Sequence, residues 1–146
     1  MIEVTRALSE DIPEFAAMEQ APDTKEYILP YTQSEHLQKI LDANLVYLRI
    51  LKQGELAGFF ILALDPDGKS IEFRRIVVSA KGHGIGQSAI AAMENFCRTE
   101  LGRPRIWLDV LEHNHRGRHI YEKLGYEKYG ESDHGGRRLL LYQKQL

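Results

Sequence analysis

The residues best suited to chemistry lie in the second half of the chain. A run rich in β-branched and aromatic residues, Ile71 to Ser79, is followed at once by Gly82, Gly84 and Gly86. Ile85, Ala89, Ile90, Ala92, Met93 and Phe96 then recur at helical spacing. Strand, glycine turn and helix in that order bring unpaired helix-start N–H groups and a partial positive charge to a backbone that a ligand can approach closely. That is a ready site for phosphate or pyrophosphate. The spacing Gly84-x-Gly86-x-x-Ala89 also fits the dinucleotide fingerprint, and a tight turn without a ligand would use the same glycines. Downstream, Asn114 and Tyr121 lie two helical turns apart and share one face. They are either an N-cap and a core residue or two groups facing one cleft. Glu72 interrupts the apolar strand before the glycines, an expensive place for a carboxylate that is not used, and Asp109 lies in the next strand, RIWLDVL.

The elements that must position these groups follow from the pattern. Met1 to Ala7 alternates as a short edge strand. Ser9 caps a helix carrying Ile12, Phe15, Ala16 and Met18 to about Gln20. Ala21 to Tyr31 has no clear period and holds Pro22, Tyr27, Pro30 and Tyr31, which predicts an ordered loop or short helix over a pocket. A second helix runs from Ser34 to about Asn44. Leu45–Leu51, Leu56–Leu64 and the Ile71 strand follow with short connections at Gln53-Gly54 and Asp65-Pro66-Asp67-Gly68, so these neighbours are antiparallel. Arg105–Leu111 is reached through a helix and should lie parallel to the Ile71 strand. Asn114–Leu124 predicts a helix, and Tyr126–Glu131 with Arg137–Gln143 a hairpin around His134-Gly135-Gly136. The glycine turn follows several antiparallel strands rather than the first strand of a βαβ unit, which argues against the dinucleotide reading. No Gly-Lys-Ser/Thr follows the glycines, so a P-loop is excluded.

Composition narrows the class. With 146 residues, 43% hydrophobic and 27% charged, the chain is expected to form a single globular domain over 1–146. A net charge of −2 without charge runs argues against nucleic acid as a partner. The lone Cys97 fits the apolar helix pattern and permits no internal disulfide, which suits a reducing interior. Glu3, Glu10, Asp11 and Glu14 do not suit a secretory signal, and no apolar run is long enough to span a membrane. The expectation is a soluble, cytoplasmic protein, monomer or homodimer, with no membrane partner. His113, His115 and His119 cluster without a glutamate partner, so no metal site is expected.

The pattern Lys81-x-x-Gly84-x-Gly86 after a strand, with Asn114 and Tyr121-Glu122-Lys123-Leu124-Gly125-Tyr126 downstream, resembles the GNAT superfamily of N-acetyltransferases. The resemblance runs from about Leu45 onward. Lys81 stands where the family commonly has Arg or Gln, Gly117 where it has Ala, and Tyr126 where it has Phe. It implies an α/β fold of α+β type, a mixed and mostly antiparallel sheet flanked by helices with one parallel central pair. It implies acetyl-coenzyme A (acetyl-CoA) as cosubstrate. The backbone of Ile76, Val77 and Val78 would lie along the pantetheine arm. The turn from Lys81, Gly82, His83, Gly84, Ile85 and Gly86, with Gln87 and Ser88, would hold the pyrophosphate, and Arg116 or Arg118 would meet the adenosine 3′-phosphate. Asn114 would contact the pantetheine. Tyr121 would stand near the thioester sulfur as the acid, with a backbone N–H near Val78 as donor to the thioester carbonyl. Glu72 or Asp109 would be the base. Glu72 is favoured, on a strand face shared with Arg74, Ile76 and Val78, and a structural ion pair with Arg74 or Arg75 is its alternative. The acceptor would be a primary amine of a small molecule or a peptide, approached past Glu26, Tyr27, Tyr31 and Glu35. The N-terminal half resembles members that acetylate ribosomal-protein N-termini. Against this stand a coenzyme A-binding module without catalysis and a dinucleotide-binding protein.

Overall fold

The structure is a computed structural model that describes residues 1–79 and 84–146. Its strands are β1 (Ile2–Arg6), β2 (Leu45–Lys52), β3 (Glu55–Leu64), β4 (Ser70–Val78), β5 (Arg105–Leu111), β6 (Glu127–His134) and β7 (Arg137–Gln145). They form one sheet in the order β1-β2-β3-β4-β5-β7-β6. Every neighbouring pair is antiparallel except β4–β5. The parallel pair is the one joined through a helix, as a crossover requires. This order is not a doubly wound parallel sheet, and the dinucleotide-binding reading falls with it.

Helices cover both faces. α4 (Ile85–Thr99) and α5 (His115–Lys123) follow the glycine turn and β5. Ile85, Ala89, Ile90, Met93 and Cys97 form the buried stripe of α4, packed with Phe60, Leu62, Ile71, Phe73, Ile106 and Leu108. On the other face α1 (Ile12–Glu19), the short α2 (Pro22–Lys25) and α3 (Gln33–Ile40) cover a second cluster of Ile12, Phe15, Tyr47, Phe59, Ile61 and Val77. α3 is started by a capping box in which Thr32 Oγ1 accepts from the Glu35 amide and Glu35 Oε1 from the Thr32 amide. Glu35 is therefore a cap and does not line the acceptor side, contrary to the expectation above.

Two departures from regular pairing shape the centre of the molecule. First, Ile61 pairs with Arg75 and Leu62 with Phe73, so Arg74 is an extra residue in β4. Such a bulge reverses the alternation of side chains beyond it. Ile71 and Phe73 point to the α4 face before it, and Ile76 and Val78 do so after it, while Val77 points to the α1 face. Glu72 thus lies on the face opposite Ile76 and Val78. The strict alternation that placed all three together is corrected by one inserted residue.

Second, β4 and β5 pair only from Ser70 to Glu72 against Arg105 to Trp107. Beyond Glu72, β4 continues to Val78 bonded to β3 alone. The sheet opens there into a V, and the β5-facing edge of β4 is left without a strand.

Candidate active site

The V is the floor of a cleft of about 1150 Å³. One wall is β4 from Phe73 to Val78, and the other is Asp109, Val110 and Leu111 at the end of β5. A strand edge with no partner strand offers its N–H and C=O groups to an extended ligand, as in strand addition. Ile76, Val77 and Val78 supply such an edge. Gly58 permits the tight packing behind it: a Cβ there would stand 2.1 Å from the Val77 carbonyl oxygen.

The cleft runs to the start of α4, where Gly84, Ile85, Gly86 and Gln87 line it. Gly84 adopts φ +71°, a left-handed conformation that glycine takes without strain. No acidic side chain stands in the first turn of this fifteen-residue helix. Its first amides have no partner inside the helix, so an anion is favoured there. Ser88 is exposed and does not line the cleft. Lys81, Gly82 and His83 lie outside the described residues.

α5 forms the far side. Asn114 caps it, its Oδ1 accepting from the Gly117 amide at 3.0 Å, and still lines the cleft. The two sequence readings of Asn114 hold together. The absence of a Cβ at Gly117 suits this cap, since one there would approach Asn114 Nδ2 to 2.8 Å. Arg116 and His119 also face the cleft, whereas Arg118 donates from Nη1 to the Glu112 carbonyl.

Tyr121 lines the cleft where the arms of the V meet. Its ring stands edge-on to Phe73 at 5.8 Å and to Tyr126 at 5.9 Å. Burial, with the charge of Asp109 adding to it, pushes the phenol up to about 12. Asp109 lines the same cleft. Burial of its surroundings raises the carboxyl above the ordinary range and nearby Glu72 adds to this, while Arg74 and His134 oppose it. Glu72 is placed differently. It accepts from Arg74 Nη2 at 2.8 Å and opens onto a separate pocket of about 850 Å³ with Lys39, Asp42 and Arg103.

Sequence reasoning missed several cleft residues. Ser132, His134 and Arg137 reach it from the β6–β7 hairpin, and only tertiary packing brings them there. Glu26, Tyr27 and Tyr31, expected from the sequence on this side, do line the cleft, together with Leu29, and Tyr27 meets His113 at 5.9 Å between ring centres. Behind them Glu19 is wholly buried. Its position on the Ile12–Phe15–Glu19 stripe was the signal available: a carboxylate at i+7 on an apolar helix face implies a buried partner. Among the described residues no three His, Cys, Asp or Glu side chains converge as metal ligands, and no helix is long and apolar enough to cross a membrane.

Comparison with known proteins places this architecture. A Bacillus subtilis (strain 168) candidate [ribosomal protein bS18]-alanine N-acetyltransferase is 25% identical over 109 residues, covering 74% of this chain and 72% of that protein. Spermidine N-acetyltransferase from Vibrio cholerae, solved with CoA and spermine, superposes with a TM-score of 0.83 at 19% identity, over 99% of this chain and 95% of the other. The ribosomal-protein-S18-alanine N-acetyltransferase of Escherichia coli superposes with a TM-score of 0.78 at 16% identity, over 99% and 95%. The family model described as the acetyltransferase (GNAT) family matches residues 6–126. A splayed parallel pair, a glycine-started helix and a match over most of the chain agree, and the protein belongs to the GNAT family of acetyltransferases, acyltransferases that use acetyl-CoA.

Proposed function

We propose that this protein transfers the acetyl group of acetyl-CoA to a primary amine by direct attack, and that the acceptor is a peptide N-terminus or a small polyamine. The observation that carries this reading is the V between β4 and β5, which joins a free strand edge, an anion-favouring helix start and the Tyr121–Asp109 pair in one cleft. The acceptor classes come from the proteins it resembles, two named for S18-alanine and one for spermidine.

The free edge fits a pantetheine arm, and the α4 start fits a pyrophosphate. In this reading Ile76, Val77 and Val78 hold the arm through their backbone, with Asn114 opposite, and the amides of Ile85, Gly86 and Gln87 take the pyrophosphate. Arg116 stands near the adenosine phosphate. Acetyl-CoA supplies the acetyl group and a thiolate leaving group. Asp109 holds the proton taken from the acceptor ammonium, directly or through one water. A carboxyl held above its ordinary value is a better base than a free one. A backbone N–H near Val78 donates to the oxygen on which charge develops. Tyr121, protonated at any physiological pH, donates to the sulfur. Glu72, expected from the sequence to be the base, is assigned here to the ion pair with Arg74. The lone buried Cys97 is consistent with a cytoplasmic setting.

Thermal-shift titration with acetyl-CoA, CoA and NAD tests the first half. A ligand at 100 times its Kd adds about 2.7 kcal/mol to folded-state stability, so both coenzyme A species should raise Tm and NAD should not. Thiol release with spermidine and with an Ala-initiated hexapeptide tests the second. Stabilisation by NAD alone, or saturable acetyl-CoA binding without thiol release on any primary amine, would sink the reading.

A further inference from the structure

Glu19 is a fully buried carboxylate at the end of α1 that does not itself line the cleft, and each of its partners comes from a different part of the chain. Oε1 accepts from the Tyr31 amide at 3.0 Å and from His36 Nε2 at 2.6 Å. A carboxylate only accepts, so His36 carries its proton on Nε2 and pairs through Nδ1 with the Tyr47 hydroxyl at 2.7 Å. Oε2 accepts from Arg75 Nη1 at 2.5 Å. Burial by itself would raise this carboxyl, but the bonds from His36 and the Tyr31 amide and the charge of Arg75 outweigh it and hold it low.

Arg75 follows the β4 bulge directly. Its second arm, Nη2, donates to the Leu29 carbonyl at 3.1 Å, and its guanidinium lies 4.1 Å from the centre of the Tyr31 ring. Lys39 stands 4.6 Å from the same ring. Leu29 and Tyr31 line the cleft, and Leu29 is 79% exposed. One carboxylate and one guanidinium therefore fasten both ends of Leu29–Tyr31 to β4. An ion pair this deep adds little stability over an apolar filling, and its usual merit is a single defined geometry.

We propose that Glu19, through Arg75, is a positioning residue that holds Leu29–Tyr31 as the wall of the acceptor site, and so governs acceptor binding rather than acetyl-CoA binding. This rests on the acetyltransferase reading for the word acceptor, but not for the pinning of the segment. The planar fork of arginine lets one side chain bond both Glu19 and the Leu29 carbonyl, which a lysine cannot do.

The test uses Arg75→Lys and Glu19→Gln in the full chain. In Arg75→Lys the charge facing Glu19 remains, so folding is preserved even where Glu19→Gln is too unstable to purify. Cleavage by trypsin after the exposed Lys25 should speed up about tenfold or more, because α2 must open for it to occur. The acetyl-CoA Kd, read by calorimetry, should stay within about threefold. With spermidine or the Ala-initiated hexapeptide, whichever releases thiol in the parent, KM should rise about tenfold with kcat within about threefold. Unchanged cleavage in Arg75→Lys overturns the proposal. So does an acetyl-CoA Kd that weakens as much as the acceptor KM, since that marks a general loosening of β4. If neither amine is turned over by the parent, the acceptor reading has failed, and cleavage after Lys25 alone decides the pin.

Discussion

Replacing Tyr121 with Phe removes one hydroxyl and leaves the ring seated against Phe73 and Tyr126. The phenol, pushed up to about 12 by burial and by Asp109, sets how much that hydroxyl can do. A thiol has an ordinary value of about 8.5, so complete proton transfer from Tyr121 to a thiolate is uphill by roughly 5 kcal/mol. In the proposed reaction the hydroxyl would therefore act as a hydrogen-bond donor to developing charge on sulfur. A hydrogen bond to a charged group contributes about 1.5–3 kcal/mol. At about 1.4 kcal/mol per decade, Tyr121→Phe should lower kcat by roughly 10- to 150-fold. Tm should change by no more than the equivalent of about 0.5 kcal/mol, as for substitutions that leave packing intact. The acetyl-CoA Kd should stay within a few-fold of the parent. Thiol-release kinetics at saturating acetyl-CoA, with calorimetric binding alongside, provide the measurement. A kcat unchanged within twofold would refute any role for the hydroxyl in the reaction. A loss beyond about 10³-fold would refute the hydrogen-bond argument and indicate full proton transfer in the rate-limiting step.

Asp109→Asn should abolish the rise of kcat/KM with pH and lower it by about 10²- to 10⁴-fold, the usual contribution of a general base. The same substitution should raise Tm at neutral pH, but only slightly, because Asp109 is itself exposed and solvent screens its charge. The carboxyl titrates higher in the folded state than in the unfolded chain, so its stabilising effect is complete below the unfolded value and is lost as pH rises through the folded one. The Tm gain should therefore vanish near pH 3, below the ordinary value of about 3.9. A lower Tm at neutral pH would contradict the burial argument. Glu72→Gln is the comparison: paired with Arg74 and off the cleft, it should keep the plateau rate within a few-fold and move the pH profile only toward lower pH, through the loss of its charge near Asp109, and a plateau rate lowered as far as in Asp109→Asn would return the base role to Glu72. Gly58→Ala forces a Cβ to within 2.1 Å of the Val77 carbonyl oxygen, a backbone atom that can move only with β4. It should cost more than roughly 2 kcal/mol of stability and weaken acetyl-CoA binding, read by Tm with and without ligand. A variant with parental Tm and parental ligand shift would show that the β4 edge tolerates displacement.

Periodicity and punctuation carried most of the fold. The three-strand meander, the parallel return through a helix, the capped α5 and the last hairpin follow from runs and turn residues whose geometry is local. Asn114 and Tyr121 were legible for the same reason, because helical spacing fixes a shared face whatever else the chain does. The loop over the pocket was legible only as a segment without a period, and its contents were misjudged at Glu35, which closes a capping box instead.

The sequence by itself determined the elements, their order, the glycine-started helix and the family resemblance, since each depends on residues close together along the chain. Tertiary structure alone decided what those elements enclose. One extra residue at Arg74 turned Glu72 away from Ile76 and Val78, and no pattern of period two reveals where a strand slips by one. The early parting of β4 from β5 created the cleft, brought Asp109 beside Tyr121 and drew in the β6–β7 hairpin. Glu19 met Arg75 across 56 residues of sequence. Such encounters are set by how twisted strands and packed helices fill space together, a property of the whole chain that local residue types do not encode.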